Sequence, residues 1–145
     1  MKRGFCQIGI YQTKNALNVG GLWRSAACFN ADGIFTVGRR YKDQASDTTK
    51  AYRHIPLVHY DSIDDLRSHL PYGALLVAVE IDEAAGDVVR FVHPERAVYL
   101  LGSEDRGLPP DVLKKCHRVI RVETERCLNV ASAGTIVLYD RYAKE

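Results

Sequence analysis

The stretch Ala97-Val98-Tyr99-Leu100-Leu101-Gly102-Ser103-Glu104-Asp105-Arg106-Gly107-Leu108-Pro109-Pro110 sets the fold class. A dense apolar strand, Ala97 to Leu101, breaks at Gly102. Pro109-Pro110 can then open a helix running to about Lys115, because proline fits a first helical turn. A strand that passes through a tight turn into a helix is the repeating unit of an α/β sheet. Gly102 and Gly107 allow close backbone approach or positive φ and leave peptide groups accessible, so the turn can hold an adenine or ribose through its main chain. The same residues also read as a tight loop with Glu104 and Arg106 simply solvated. The turn lacks GxGxxG spacing and the chain has no GxxxxGK[ST], so neither a dinucleotide fingerprint nor a P-loop is supported.

Outward from this turn the pattern repeats. Phe5 to Tyr11, Ile34 to Val37, Leu57 to His59, Ala74 to Val79 and Val119 to Val122 read as short apolar strands. Asn18 to Asn30 reads as a helix opened by an asparagine cap, Ser62 to Leu70 as a second, and Leu128 to Tyr142 as a long final one. Asp47 to Tyr52 suggests a brief helix within a polar stretch, 39–53. Strands alternating with helices predict a largely parallel sheet. With 145 residues and no internal repeat or Pro/Gly-rich linker, residues 1–145 are expected to form one domain.

Two further segments join small residues to polar ones. In Cys127-Leu128-Asn129-Val130-Ala131-Ser132-Ala133-Gly134 the small side chains let a helix start approach a loop or ligand, with Asn129 and Ser132 as polar contacts. Cys127 fits a buried thiol or pocket wall better than a nucleophile, since no histidine is nearby and nothing lowers its pKa. Ile136-Val137-Leu138-Tyr139 is too continuously apolar for one exposed helix and predicts burial in the core or at a subunit contact. In Asn15-Ala16-Leu17-Asn18-Val19-Gly20-Gly21-Leu22-Trp23-Arg24, Arg24 projects from a helix of small residues. A guanidinium suits a phosphate and makes a poor general base.

Composition bounds the remainder. Hydrophobic residues make up 46% and charged residues 26%, as in an ordinary globular protein. No long uncharged apolar run exists and Met1-Lys2-Arg3 leads into no signal-peptide core, so a cytoplasmic protein without a membrane span is expected. Cys6, Cys28, Cys116 and Cys127 show no metal-ligand spacing, and the five histidines form no HExxH, which predicts reduced thiols and no metal. The net charge of +2 is small, but residues 1–53 carry nine Lys or Arg against three acids, and residues 61–87 carry seven acids against Arg67 alone. The basic N-terminal part can face a polyanion, or the polarity can serve solubility. Glu80, Asp82 and Glu83 either line a pocket mouth or form a solvated acidic turn.

Taken together, the three segments resemble the SpoU branch of the SPOUT superfamily, S-adenosylmethionine-dependent RNA 2′-O-ribose methyltransferases. Asn18, Gly20 and Arg24 match the first family motif, Gly102-Ser103-Glu104-Asp105-Arg106-Gly107-Leu108 the second, and Cys127-Leu128-Asn129 with the small residues after it the third. Cys127 departs from the usual serine, and a thiol is the weaker hydrogen-bonding group. The resemblance implies an α/β parallel sheet with a C-terminal deep trefoil knot, which general connection rules argue against. It implies S-adenosylmethionine bound among loops 79–83, 101–107 and 120–132, with Val79, Glu80, Leu101, Gly102, Ser103, Gly107, Ile120, Val122, Cys127, Leu128 and Ser132 as its contacts. It also implies a homodimer whose subunit junction holds the RNA, with Arg24 reaching the partner's cofactor. Arg24 would hold a phosphate and promote deprotonation of the ribose 2′-hydroxyl; Asn18, Glu104 and Asn129 would organise the acceptor site. No metal is implied. The chain shows no counterpart of the N-terminal RNA-binding extension of many relatives, which suggests direct recognition through residues 1–53 and the partner subunit, with tRNA favoured over rRNA. Base methylation on the same fold and a non-catalytic RNA-binding or assembly module are the rival readings.

Overall fold

The computed structural model describes residues 4–41 and 54–145. The helix anticipated at Asp47 to Tyr52 lies outside them. In chain order the described elements are β1 (Phe5–Tyr11), α1 (Ala16–Cys28), β2 (Gly33–Val37), β3 (Leu57–Tyr60), α2 (Ile63–Ser68), β4 (Leu75–Val79), β5 (Gly86–Asp87), a 3-10 turn (Val88–Arg90), β6 (Arg96–Leu101), α3 (Pro110–Leu113), β7 (Arg118–Arg121) and α4 (Val130–Lys144). The seven described strands form one sheet in the order β3-β2-β1-β6-β4-β7-β5. Every pairing is parallel, as the alternation of elements predicts.

Parallel strands covered on both faces are apolar on both sides, and alternate residues here enter different cores. Tyr99 and Leu101 of β6 join Ile8, Ile10, Leu22 and Val137 beneath α1 and α4. Val98 and Leu100 join Phe35, Leu66, Leu76 and Val112 beneath α2 and α3. Helix α4 lies close on this framework because residue 134 is glycine: a Cβ there would sit 2.5 Å from Leu22 Cδ1 and 2.9 Å from Leu101 Cδ1.

Two helix starts differ from the sequence reading in ways that bear on the site, and β5 (Gly86–Asp87) was not anticipated. Helix α1 starts at Ala16, capped by Asn15, whose side-chain oxygen accepts from the Leu17 amide at 2.9 Å. Asn18 is therefore not the cap but a buried helical residue, 4% exposed. Helix α4 starts at Val130, with Asn129 as its cap accepting from the Ser132 amide at 3.1 Å. The apolar run on α4 also divides: Val137 and Leu138 are core, whereas Ile136 and Tyr139 remain 38% and 58% exposed. Leu17 of α1 and Leu128, just before α4, are likewise exposed, 76% and 39%.

The far end of α4 is tied down by a polar chain at the N-terminal edge of the sheet. Arg141, 6% exposed, donates to the carbonyls of Pro94 and Glu95 and to the Tyr99 hydroxyl. His93 Nδ1 lies 2.6 Å from the Tyr99 hydroxyl and Nε2 lies 2.7 Å from Asp140. Lys144 donates to the carbonyls of Val88, Val89 and Phe91 and pairs with Asp140 at 2.7 Å. Burial holds the His93 pKa below its ordinary value, against the opposing pull of the Asp140 carboxylate. A neutral ring with its proton on Nε2 then satisfies every group: it donates to Asp140 and accepts from Tyr99, whose oxygen accepts from Arg141.

Candidate functional site

The C-terminal ends of β4, β6 and β7 lie side by side, and the loops leaving them enclose a cleft. In open α/β sheets ligands bind outside the carboxyl ends of the strands. Val79, Glu80 and Ile81 come from the first loop, Leu101, Gly102, Ser103 and Gly107 from the second. Val122, Thr124, Leu128, Val130 and Ala133 complete the wall from the segment after β7 and the start of α4. The enclosed space is about 100 Å³. Its walls are mainly aliphatic, suited to the faces of a heterocycle, while the turns bring main-chain polar groups to its edge.

The second loop is folded hard upon itself. Gly107 has φ +63° and its amide donates to the Ser103 carbonyl at 2.9 Å. A Cβ on Gly102 would lie 2.4 Å from the Gly107 carbonyl carbon. The Glu80 carboxylate accepts from the Leu108 amide at 2.6 Å and from the Ile81 amide at 2.9 Å. Glu80 thus lines the cleft and also fastens the second loop to the first. Of its acidic neighbours, Asp82 accepts from the Ala84 amide at 2.9 Å and Glu83 is exposed.

Three segments distant in sequence meet beside this cleft. Asn129 Nδ2 donates to Asn18 Oδ1 at 3.0 Å, joining the start of α4 to the interior of α1. Thr13 Oγ1 donates to Glu104 Oε2 at 3.3 Å, and Lys14 pairs with Asp105 at 3.7 Å, so the loop after β1 meets the turn after β6. Asn18, Glu104 and Asn129 are thereby brought to one end of the molecule.

Other expected site residues are placed differently. Ile120 is buried under the cleft, with its carbonyl accepting from the Glu80 amide. Cys127 is exposed in the loop before α4, not the buried thiol or wall that its sequence context suggested. Ser132 is exposed in the first turn of α4. Arg24 is exposed on α1 and does not line this cleft. Ile81, Thr124, Val130 and Ala133 line the cleft without having been singled out. Val130 and Ala133 fall within the quoted small-residue run, and Ile81 and Thr124 within the loops 79–83 and 120–132 that the resemblance implied, though neither was named. Among the described residues no group of three His, Cys, Asp or Glu side chains could hold a metal ion. No described helix is long and apolar enough to cross a membrane.

A parallel α/β sheet with a loop-built cleft at its carboxyl edge defines a broad class of ligand-binding α/β proteins. The particular family follows from comparison: residues 6–139 match the SpoU rRNA Methylase family, and the chain belongs to it. That family uses S-adenosylmethionine. Among solved structures, the AdoMet-bound rRNA methyltransferase from Sinorhizobium meliloti is similar with a TM-score of 0.85 and 23% identity, covering 98% of this chain and 57% of that one. A protein studied for the 2-OH methylation of C/U34 on tRNA gives a TM-score of 0.83 at 23% identity, covering 97% and 96% of the two chains. An uncharacterised tRNA/rRNA methyltransferase of Archaeoglobus fulgidus is 28% identical over 130 residues, 84% of this chain. The mouse tRNA (guanosine(18)-2′-O)-methyltransferase TARBP1 is 24% identical over 136 residues, 85% of this chain. The chain spans 57% of the archaeal relative and 8% of the mouse protein.

Proposed function

We propose that this protein methylates a ribose 2′-hydroxyl of RNA, with tRNA favoured over rRNA as substrate. The observation that carries the reading is the convergence of the three motif segments on one end of the sheet, through the Asn18–Asn129 and Thr13–Glu104 hydrogen bonds. The described activities of the mouse relative and of the C/U34 protein are in keeping with ribose rather than base methylation.

The aliphatic walls and folded turns of the cleft fit the adenosine end of S-adenosylmethionine, with Val79, Leu101, Val122 and Leu128 as the apolar contacts and the main chain of Gly102 and Ser103 at the polar edge. When bound, that cofactor supplies an electrophilic sulfonium methyl group. The protein's own contribution is positional: holding the acceptor oxygen in line removes much of the entropic barrier. Arg24 would act as a fixed cation beside the acceptor ribose, holding the neighbouring phosphate and stabilising the negative charge on the 2′-oxygen, which favours loss of the hydroxyl proton to water as the new O–C bond forms and the methyl–sulfur bond breaks. Asn18 and Asn129, locked together, orient the start of α4 against the acceptor, and Glu104 holds the turn after β6 to the loop after β1.

Arg24 stands outside the cleft of its own protomer, which favours a homodimer in which it serves the partner's cofactor. The exposed apolar side chains of Leu17, Leu128, Ile136 and Tyr139 on and beside α1 and α4 support that assembly. A C-terminal trefoil knot is what the family resemblance implies, and the strand order, with β6 between β1 and β4 and β7 between β4 and β5, is compatible with it. Maps of 2′-O-methylation in total RNA from cells with and without the gene test the reading. A ribose methyl mark that disappears with the gene is the expected result, and loss of a base methyl mark alone would favour the rival chemistry.

A further inference from the structure

A second hollow lies on the other side of the turn after β6. It measures about 360 Å³ and is lined by Tyr11 and Gln12 at the end of β1, Lys14, Arg39 beyond β2, and Ser103 to Pro109 residues including Arg106. Ser103 and Gly107 also line the cofactor cleft, so one turn walls both spaces. The arrangement follows from topology: β6 stands between β1 and β4, and its C-terminal turn must emerge between their loops. A further hollow of about 390 Å³ shares Lys14 and Arg39 and extends to Arg40 and Tyr41. Together they make a continuous trough along the carboxyl edge of β1 and β2.

Its charge is strongly positive. Lys14, Arg39, Arg40 and Arg106 arise from three chain segments, and Asp105 is the acid among them. Among the described residues, neither the Arg39 nor the Arg106 guanidinium is held in an ion pair. Lys14 meets Asp105 at 3.7 Å with both side chains more than 60% exposed; an exposed pair of this kind is weak and exchanges readily for a phosphate. Tyr11 and Tyr41 add aromatic surface. A cationic trough with aromatic rings is the chemistry that tracks a single-stranded nucleic-acid backbone. The hollow at the opposite sheet edge shows the contrast: the donors of its Arg141 and Lys144 are occupied by main-chain carbonyls.

We propose that this trough holds the acceptor RNA strand on the same protomer as the cofactor cleft, with Arg39 and Arg106 on phosphates flanking the modified nucleotide. The inference rests on the RNA-methyltransferase reading for its substrate but is tested without turnover. Fluorescence anisotropy with a labelled uridine dodecamer, over a range of salt, compares wild type with the double variant Arg39→Gln/Arg106→Gln. The variant Arg90→Gln, at the opposite edge, controls for net charge. The double variant is expected to bind the dodecamer at least about 10-fold more weakly at low salt, with the slope of log K against log salt shallower by about one to two. Its calorimetric affinity for S-adenosylmethionine should stay at the wild-type value, and Arg90→Gln should behave as wild type throughout. Wild-type affinity and slope in the double variant would overturn the proposal, as would an equal loss in Arg90→Gln or no binding by wild type. If the double variant loses the dodecamer while wild type transfers no methyl group to total RNA, the trough stands and the catalytic reading falls. If wild type methylates RNA and the double variant does so with unchanged dodecamer binding, the reverse holds.

Discussion

At the scale of single residues, Arg24 and the Asn18–Asn129 pair are expected to fail differently when altered. Arg24 is exposed on α1 and apart from the cleft of its own chain, so Arg24→Ala should leave cofactor affinity and dimerisation near wild type. Single-turnover methyl transfer to the true RNA should fall by at least roughly 100-fold, about 2.7 kcal/mol of transition-state stabilisation. Arg24→Lys should recover little, because a point-like ammonium does not reproduce the planar fork. Near-wild-type chemistry in a folded Arg24→Ala would remove the residue from the mechanism. Asn129 instead has two structural partners, the Ser132 amide and buried Asn18. Asn129→Ala removes a helix cap and leaves the Asn18 oxygen without its donor, so urea unfolding should show a loss of about 2 kcal/mol. A loss below about 0.5 kcal/mol would mean that water replaces both bonds.

Among the elements, α4 gives the clearest pH prediction, because its last turns rest on neutral His93. The folded-state pKa of His93 is lowered by burial, while an unfolded histidine titrates near about 6.5. Above that pH both states are neutral there and the contribution is complete. As pH falls below it, the unfolded chain takes up a proton that the folded chain refuses, and stability declines until the pH passes the folded value. Urea midpoints should therefore drop between pH 7 and pH 5 more steeply in wild type than in His93→Gln; parallel curves would refute the assignment. Little of this anchor was legible beforehand, since His93 finds Tyr99 and Asp140 only after the sheet and α4 have been assembled. Six of the seven described strands were far more visible, each a short, mainly apolar run with a glycine or polar break near its end, and that signal is local; β5, the pair Gly86–Asp87, carries no such signal. The start of α1 was misplaced because Asn15 and Asn18 are equally good caps locally, and a partner 111 residues away decides which one is buried. The cleft was legible where the backbone itself announces a turn, as at Gly102 and Gly107. At Ile81 and Thr124 only the resemblance pointed to the right loops, 79–83 and 120–132, and no local signal marks either residue within them.

For the whole molecule, the expected assembly is a pair of chains joined partly through the outer side of the α1–α4 layer. A stable interface should cover more than roughly 1,000 Å², and Leu17, Leu128, Ile136 and Tyr139 offer its apolar centre. Sedimentation at micromolar concentration should show a dimer, and Ile136→Glu should shift it toward monomer with loss of methyl transfer. A fully active monomer would reject the shared-site scheme. The position of β6 carries a further consequence, for how such a protein can diversify. Its terminal turn serves two spaces at once through Ser103 and Gly107, so a substitution at either disturbs both of them together. Residues 12–14 and 39–41 border the trough alone. New RNA targets are therefore reached with least collateral damage by drift at those outer positions, while the shared turn stays frozen.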